Sequence, residues 1–169
     1  MAVKKTELYS SLWASCDALR GGMDASQYKD YILTLLFMKY VTDKYKGHKY
    51  GDLTVFDKEH DPNPDPEKRI GCSFDDFIAL KNKKNIGIDK IIARLAEVND
   101  SLKGVIDIAH FNDEAKIGKG QEMVDKLTKL IAIFQRPELD FSNNKADGDD
   151  IIGDAYEYLM RNFATESGK

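Results

Sequence analysis

Residues 28–45 read YKDYILTLLFMKYVTDKY, and apolar side chains would cover almost the whole circumference of a helix built from them. One face is made by Tyr28, Ile32, Leu35, Leu36 and Tyr40, and much of the rest by Leu33, Phe37, Met38 and Val41. A helix that is apolar nearly all round must be enclosed by other elements. This segment therefore predicts the central helix of a bundle.

The sequence before and after this segment supplies start and stop signals. Asp24 followed by Gln27 is typical of a capping box, in which the acidic side chain accepts a backbone N–H and the glutamine reaches back. Gly47 ends the helix. The following stretch, from Asp61 to Pro66, contains three of the four prolines and cannot be helical, because proline lacks a donor and restricts the residue before it. We expect a long surface loop here, with a short ordered element near 53–56.

Further helices are predicted on both sides of the central one. Helical spacing of apolar residues covers Thr6–Arg20, Ile88–Leu102 and Met123–Phe134, and Ser73 with Asp76 marks the start of a short helix. A final helix carries the expected buried stripe Ile152, Tyr156, Leu159 and Phe163, with Glu157 and Arg161 paired on a polar face. The fold class is therefore all-α, a single bundle of about five to seven helices across residues 1–169, with a long proline-containing loop.

Composition narrows the class of protein. The 169 residues carry a net charge of −4, which argues against a uniformly basic nucleic-acid-binding surface, so any contact with nucleic acid must be local. The two cysteines, Cys16 and Cys72, predict reduced thiols rather than a disulfide framework. The most apolar run, residues 31–38, is too short to span a bilayer, and no apolar stretch follows the basic residues 1–6, so we expect no secretory signal there. We expect a cytoplasmic protein with no membrane contact.

No motif in the sequence predicts a catalytic, cofactor-binding or metal-binding residue. The three histidines are isolated, and Asp61, Asn63 and Asp65 imitate the opening of a calcium loop whose glycine position is Pro66. Carboxylates are adjacent at 75–76 and 149–150, where helices are predicted to begin, and acidic residues favour helix N-termini. A small hydrolase that uses Asp149 or Asp150 stays an alternative.

Lysines form two local clusters that could contact phosphate. The first surrounds the end of the central helix, with tyrosines interleaved, and the second lies in a predicted loop. Lysines also favour helix C-termini for electrostatic reasons alone. The candidate phosphate contacts are Lys39, Lys44, Lys46, Lys49, Lys81, Lys83 and Lys84.

Three stretches in this order resemble the N-terminal helical domain of the methyltransferase (modification) subunit of type I restriction-modification systems. They are Leu12-Trp13 with Leu19–Asp24, then Tyr28–Tyr31 running into Leu33 and Leu36–Asp43, and finally Gly153–Ala164. The resemblance spans nearly the whole chain. It implies a DNA-clamping and assembly domain of a bacterial defence system, whose partners are double-stranded DNA, the specificity subunit, a second modification subunit and the restriction subunit.

The same resemblance implies that the chemistry lies outside this chain. Full-length members of the family transfer a methyl group from S-adenosylmethionine to adenine N6, in a Rossmann-like catalytic domain expected after residue 169. The family's Asn-Pro-Pro-aromatic motif is absent, since residues 63–66 read NPDP. This chain alone is therefore predicted to bind no cofactor and to be inactive. The alternative is a free-standing helical adaptor that binds a protein partner and has no DNA role.

Overall fold

The computed structural model describes residues 5–20, 23–48, 51–84, 87–104, 106, 109–142 and 151–166. Within these ranges the chain forms seven α-helices, several 3-10 turns and no β-strand, which confirms the predicted all-α class. None of the described helices is both long and apolar enough to cross a bilayer. The helices are α1 (Lys5–Arg20), α2 (Ala25–Tyr45), α3 (Phe74–Ala79), α4 (Ile88–Val98), α5 (Glu114–Ile117), α6 (Gln121–Phe134) and α7 (Ile151–Glu166).

Helix α2 is the central element, as its sequence predicts. It packs against α1, α3, α6 and α7, and buried side chains surround most of it, among them Tyr28, Ile32, Leu35 and Met38. Its start is the predicted capping box. The Asp24 carboxylate accepts the Gln27 N–H at 3.2 Å, and the Gln27 side chain accepts the Asp24 N–H at 3.2 Å. Gly47, with φ of 82°, turns the chain away after the helix.

Helix α4 ends earlier than its apolar periodicity predicts. The pattern runs to Leu102, but the helix stops at Val98 and a 3-10 turn follows. The cause is Asn99, whose amide nitrogen donates to the carbonyls of Leu95 at 3.0 Å and Thr54 at 2.8 Å, while its oxygen accepts the Thr54 N–H at 2.8 Å. Asn99 thus joins the helix end to the long loop, and this distant partner overrides the local periodicity.

The proline-containing loop is ordered by successive side-chain caps. Asp61 accepts the N–H of Asn63, Asn63 accepts that of Asp65, and Asp65 accepts that of Glu67, each at 3.0 Å. The alternating acidic and amide residues that imitate a calcium loop are therefore explained as consecutive turns. The ordered elements are 3-10 turns at Lys58–His60 and Pro66–Lys68 rather than one near 53–56.

The buried stripe of α7 differs from prediction at one position. Leu159 and Phe163 are buried as expected and Ile152 packs against the core, but Tyr156 is 53% exposed. Ala155 occupies the buried position instead, at 0% exposure. Spacings of three and of four both keep residues on one helix face, so the pattern alone does not distinguish Ala155 from Tyr156. The predicted Glu157–Arg161 pair is present at 2.8 Å.

Candidate functional site

The lysine cluster after α3 lies on a loop that is attached to α6. Asn82 adopts a left-handed backbone conformation, with φ of 64°, and its N–H donates to the Thr128 hydroxyl at 3.0 Å. The Lys81 ammonium donates to the side-chain oxygen of Gln135. Thr128 and Gln135 are seven residues apart, which is about 10 Å along one face of a helix. The loop is therefore fastened at two points, one within α6 and one at Gln135, the residue that follows it.

Lys83 and Lys84 follow these two attachment points and are exposed. Within the described residues, neither side chain forms a hydrogen bond or an ion pair. An exposed ammonium group without a carboxylate partner loses little when it exchanges water for a phosphate oxygen. Of the predicted lysines, these two are the most available to a polyanion.

Lys44, at the end of α2, is exposed and lies beside two tyrosines. Its ammonium donates to the Tyr40 hydroxyl at 3.0 Å and lies 5.5 Å and 5.4 Å from the ring centres of Tyr40 and Tyr45. The hydrogen bond to Tyr40 is the main cause that raises the pKa of Lys44. Because its partners are neutral rings, the Lys44 charge is not cancelled and stays available to an anion.

Lys46 lies close by but has acidic partners. Its ammonium is 3.1 Å from the Asp57 carboxylate and also contacts that of Asp75. Burial raises the pKa of Asp57, but hydrogen bonds from His60 and Lys46 outweigh burial and lower this pKa to about 2. Lys46 therefore joins the end of α2 to the long loop and to the start of α3, and a phosphate would have to displace two carboxylates.

Lys39 is the least accessible of the predicted lysines. Its side chain is 11% exposed, and its ammonium lies 2.5 Å from the Asp43 carboxylate and 3.0 Å from the Leu139 carbonyl oxygen. Asp43 also accepts the Phe141 N–H at 2.9 Å. This arrangement joins α2 to the segment after α6, which is a packing role. Lys49, the remaining predicted lysine, lies outside the described residues.

The acidic pair at the start of α3 has a structural role. Asp76 accepts the backbone N–H of Ser73 at 3.0 Å and that of Lys58 at 2.8 Å, which completes the predicted capping box and holds the loop. Asp149 and Asp150 lie outside the described residues. Within the described part of the chain, no group of three histidine, cysteine or acidic side chains is arranged to hold a metal ion.

A groove of about 1110 Å³ runs beside α2 and the start of α7. Sequence reasoning missed it, because the groove exists only when the segment after α6 and helix α7 pack beside α2. Apolar and aromatic side chains dominate its walls, and Lys44 is among the lining residues. The walls include Leu33, Phe37, Tyr40, Ile106, Phe141 and Tyr156.

A family profile and a related protein sequence both match this chain. The sequence profile described as "HsdM N-terminal domain" matches residues 8–134. The methylase subunit of the type I restriction enzyme MpnII from Mycoplasma pneumoniae is 24% identical over 215 aligned positions, which include all of this chain and 38% of that protein.

A solved structure has the same fold. The crystal structure of a type I restriction-modification methyltransferase subunit from Streptococcus thermophilus superposes with a TM-score of 0.65 at 21% identity, over 98% of this chain and 40% of that one. The chain thus spans about two fifths of the length of both relatives.

Proposed function

Because the chain belongs to the HsdM N-terminal domain family, we propose that it is the DNA-contacting and assembly domain of a type I modification subunit. In this proposal the full-length protein is a cytoplasmic, site-specific adenine-N6 DNA methyltransferase. Both relatives are more than twice as long as this chain, which supports a separate catalytic domain in the parent protein. The specificity subunit, a second modification subunit and the restriction subunit complete the proposed assembly.

The proposal places S-adenosylmethionine binding outside this chain. The S-adenosylmethionine site expected in the parent methyltransferase has a glycine-bearing loop between a strand and a helix. The described residues contain helices and turns but no strand, so they do not fit that cofactor. We expect calorimetry with S-adenosylmethionine to give no binding heat for the 169-residue chain, and stoichiometric micromolar binding would contradict the proposal.

The exposed, unpaired state of Lys83 and Lys84 is the observation that supports DNA contact best. Lysines reach phosphate oxygens as point charges and carry no sequence information by themselves. Lys44 and Lys81 are secondary candidates, since their ammonium groups contact neutral partners. Lys39 and Lys46 are held by carboxylates, so we assign them to the packing of the domain. The expected binding mode is weak, salt-sensitive and indifferent to sequence.

The test is fluorescence anisotropy of a labelled 30-base-pair duplex with the 169-residue chain at several salt concentrations. We expect a Kd of about 10⁻⁴ to 10⁻⁶ M, and a plot of log Kd against log salt whose slope reports the number of phosphate contacts. The double variant Lys83→Ala/Lys84→Ala should lower that slope by about 1.8, since each lost phosphate contact removes about 0.9.

The matched control is Lys58→Ala/Lys68→Ala, which removes two exposed lysines of the proline-containing loop and changes the net charge equally. The control should bind more tightly than the Lys83/Lys84 variant and keep nearly the full slope. Equal losses in both variants would indicate a general charge effect and would contradict a local contact. A salt-resistant preference for one duplex over scrambled duplexes would also contradict the proposed mode.

A further inference from the structure

We propose that Asn82 and Thr128 are positioning residues that hold Lys83 and Lys84 in place for phosphate contact. This inference rests on the proposed DNA role and deepens it, because it names the groups that orient the contact. Both side chains are neutral, so neither forms an ion pair with a DNA phosphate. Their effect would come from restricting the backbone from which the two lysines project.

The backbone at Asn82 has a conformation that few residues adopt. A left-handed residue costs roughly 1–2 kcal/mol for most side chains, and asparagine tolerates it better than β-branched residues do. In this conformation the Asn82 N–H donates to the Thr128 hydroxyl of α6, at 3.0 Å. The Lys83 N–H donates to the Leu80 carbonyl at 3.1 Å, so the turn is closed on its other side too.

This fastening matters because lysine is a flexible ligand. A lysine on a mobile loop must lose both backbone and side-chain freedom when it binds phosphate, and this loss weakens binding. The Asn82–Thr128 hydrogen bond restricts the loop before DNA arrives. This hydrogen bond is accessible to solvent. When the Thr128 hydroxyl is removed, water can therefore accept from the Asn82 N–H, and that N–H is not left buried without a partner.

The discriminating variants are Thr128→Val, which removes the hydroxyl acceptor at nearly constant volume, and Thr128→Ser, which keeps it. We expect Thr128→Val to weaken duplex binding about fivefold at every salt concentration, the range that one net hydrogen bond accounts for. The salt slope should stay at the wild-type value, because both lysines are still present and still reach phosphate. Thr128→Ser should restore most of the affinity.

Two substitutions at Asn82 test the same inference independently. Asn82→Gly permits the left-handed conformation and keeps the backbone donor, so it should bind within about twofold of wild type. Asn82→Val disfavours that conformation and should weaken binding about tenfold, again without a change in slope. Circular dichroism melts of every variant identify any loss of folding, and binding is measured well below the lowest transition.

The outcomes separate this inference from the DNA role on which it rests. If Lys83→Ala/Lys84→Ala lowers the salt slope while Thr128→Val and Asn82→Val bind like wild type, the DNA role stands and the positioning role is overturned. If the anchor variants lower only the melting temperature, their role is structural and the inference is again overturned. If the lysine variant binds like wild type, the proposed contact itself fails.

Discussion

Replacing Asp61 with asparagine exchanges one buried carboxylate oxygen, a hydrogen-bond acceptor, for an NH2 group, which is a donor. The substitution also removes one negative charge. In the native chain one carboxylate oxygen accepts from Ile70 N–H at 3.0 Å, Gly71 N–H at 3.2 Å and Arg94 Nε at 3.1 Å. The other accepts from Asn63 N–H at 3.0 Å and Arg94 Nη2 at 2.6 Å. An amide nitrogen in either place would face two or three donors, whichever way the asparagine turns.

The expected loss follows from burial. The Asp61 side chain is fully buried and that of Arg94 is 14% exposed. Breaking a buried ion pair by removing one partner typically costs about 3–5 kcal/mol, because the remaining charge is left without compensation. Arg94 keeps a second, exposed partner in Glu97, which places the estimate at the lower end, about 3 kcal/mol. For a domain of this size that loss lowers the melting temperature by about 6–12 °C.

Urea unfolding at pH 7, followed by circular dichroism, measures the change in the free energy of unfolding. The matched control is Asp65→Asn, the same substitution in the same loop. Asp65 is exposed, and asparagine keeps its acceptor for the Glu67 N–H, so its unfolding free energy should stay within about 0.5 kcal/mol of wild type. If Asp61→Asn also leaves the free energy of unfolding within about 0.5 kcal/mol of wild type, the buried ion pair does not stabilise the loop and the reasoning is refuted.

The pH dependence of the same difference provides a second check. The hydrogen bond from Arg94 holds the pKa of Asp61 well below its usual range. A carboxyl group whose pKa is lower in the folded than in the unfolded chain contributes its stability above the unfolded value, about 3.9, and loses it as the pH falls. The stability difference between wild type and Asp61→Asn should therefore be constant from about pH 5 to 7 and shrink below about pH 4.

Two further predictions concern helix α7 and a buried thiol. Leu159→Ala should destabilise the chain by about 2–5 kcal/mol and Tyr156→Ala by less than about 1 kcal/mol in the same urea assay, because only Leu159 is buried; equal losses would contradict the burial pattern. Burial raises the pKa of Cys72 to about 11, so at pH 8 a thiol reagent should modify it far more slowly in the folded chain than in guanidinium, and rapid stoichiometric labelling of the native chain would contradict this.

The helices are well predicted because their signals are local. The capping boxes at Asp24 and Ser73, the nearly all-round apolar surface of α2 and the apolar periodicity of α6 depend on residues within a few positions of each other. Two departures from prediction, in α4 and α7, have non-local causes. Helix α4 ends early because Asn99 bonds to Thr54, 45 residues away in sequence, and Tyr156 is exposed because packing selects Ala155 at the same face.

For the candidate site too, local sequence signals predicted part of the arrangement, and contacts between distant residues decided the rest. Clustering in the sequence selected seven lysines, but it could not rank them, since their partners come from other elements. Lys39 carried a local signal in the spacing to Asp43, four residues on, whereas the carboxylate of Asp57 beside Lys46 had none. The anchor between Asn82 and Thr128 joins residues 46 apart and has no sequence signature.

By itself the sequence determined the all-α class, the central position of α2 and the membership of residues 8–134 in the HsdM N-terminal domain family. Apolar periodicity and helix capping involve residues within one or two helical turns, so they can be recognised in the sequence alone. Only the tertiary structure decided which lysines are neutralised and which stay exposed. A charge is cancelled by whatever packing brings within about 4 Å, and that neighbour is set by the whole bundle rather than by the adjacent residues.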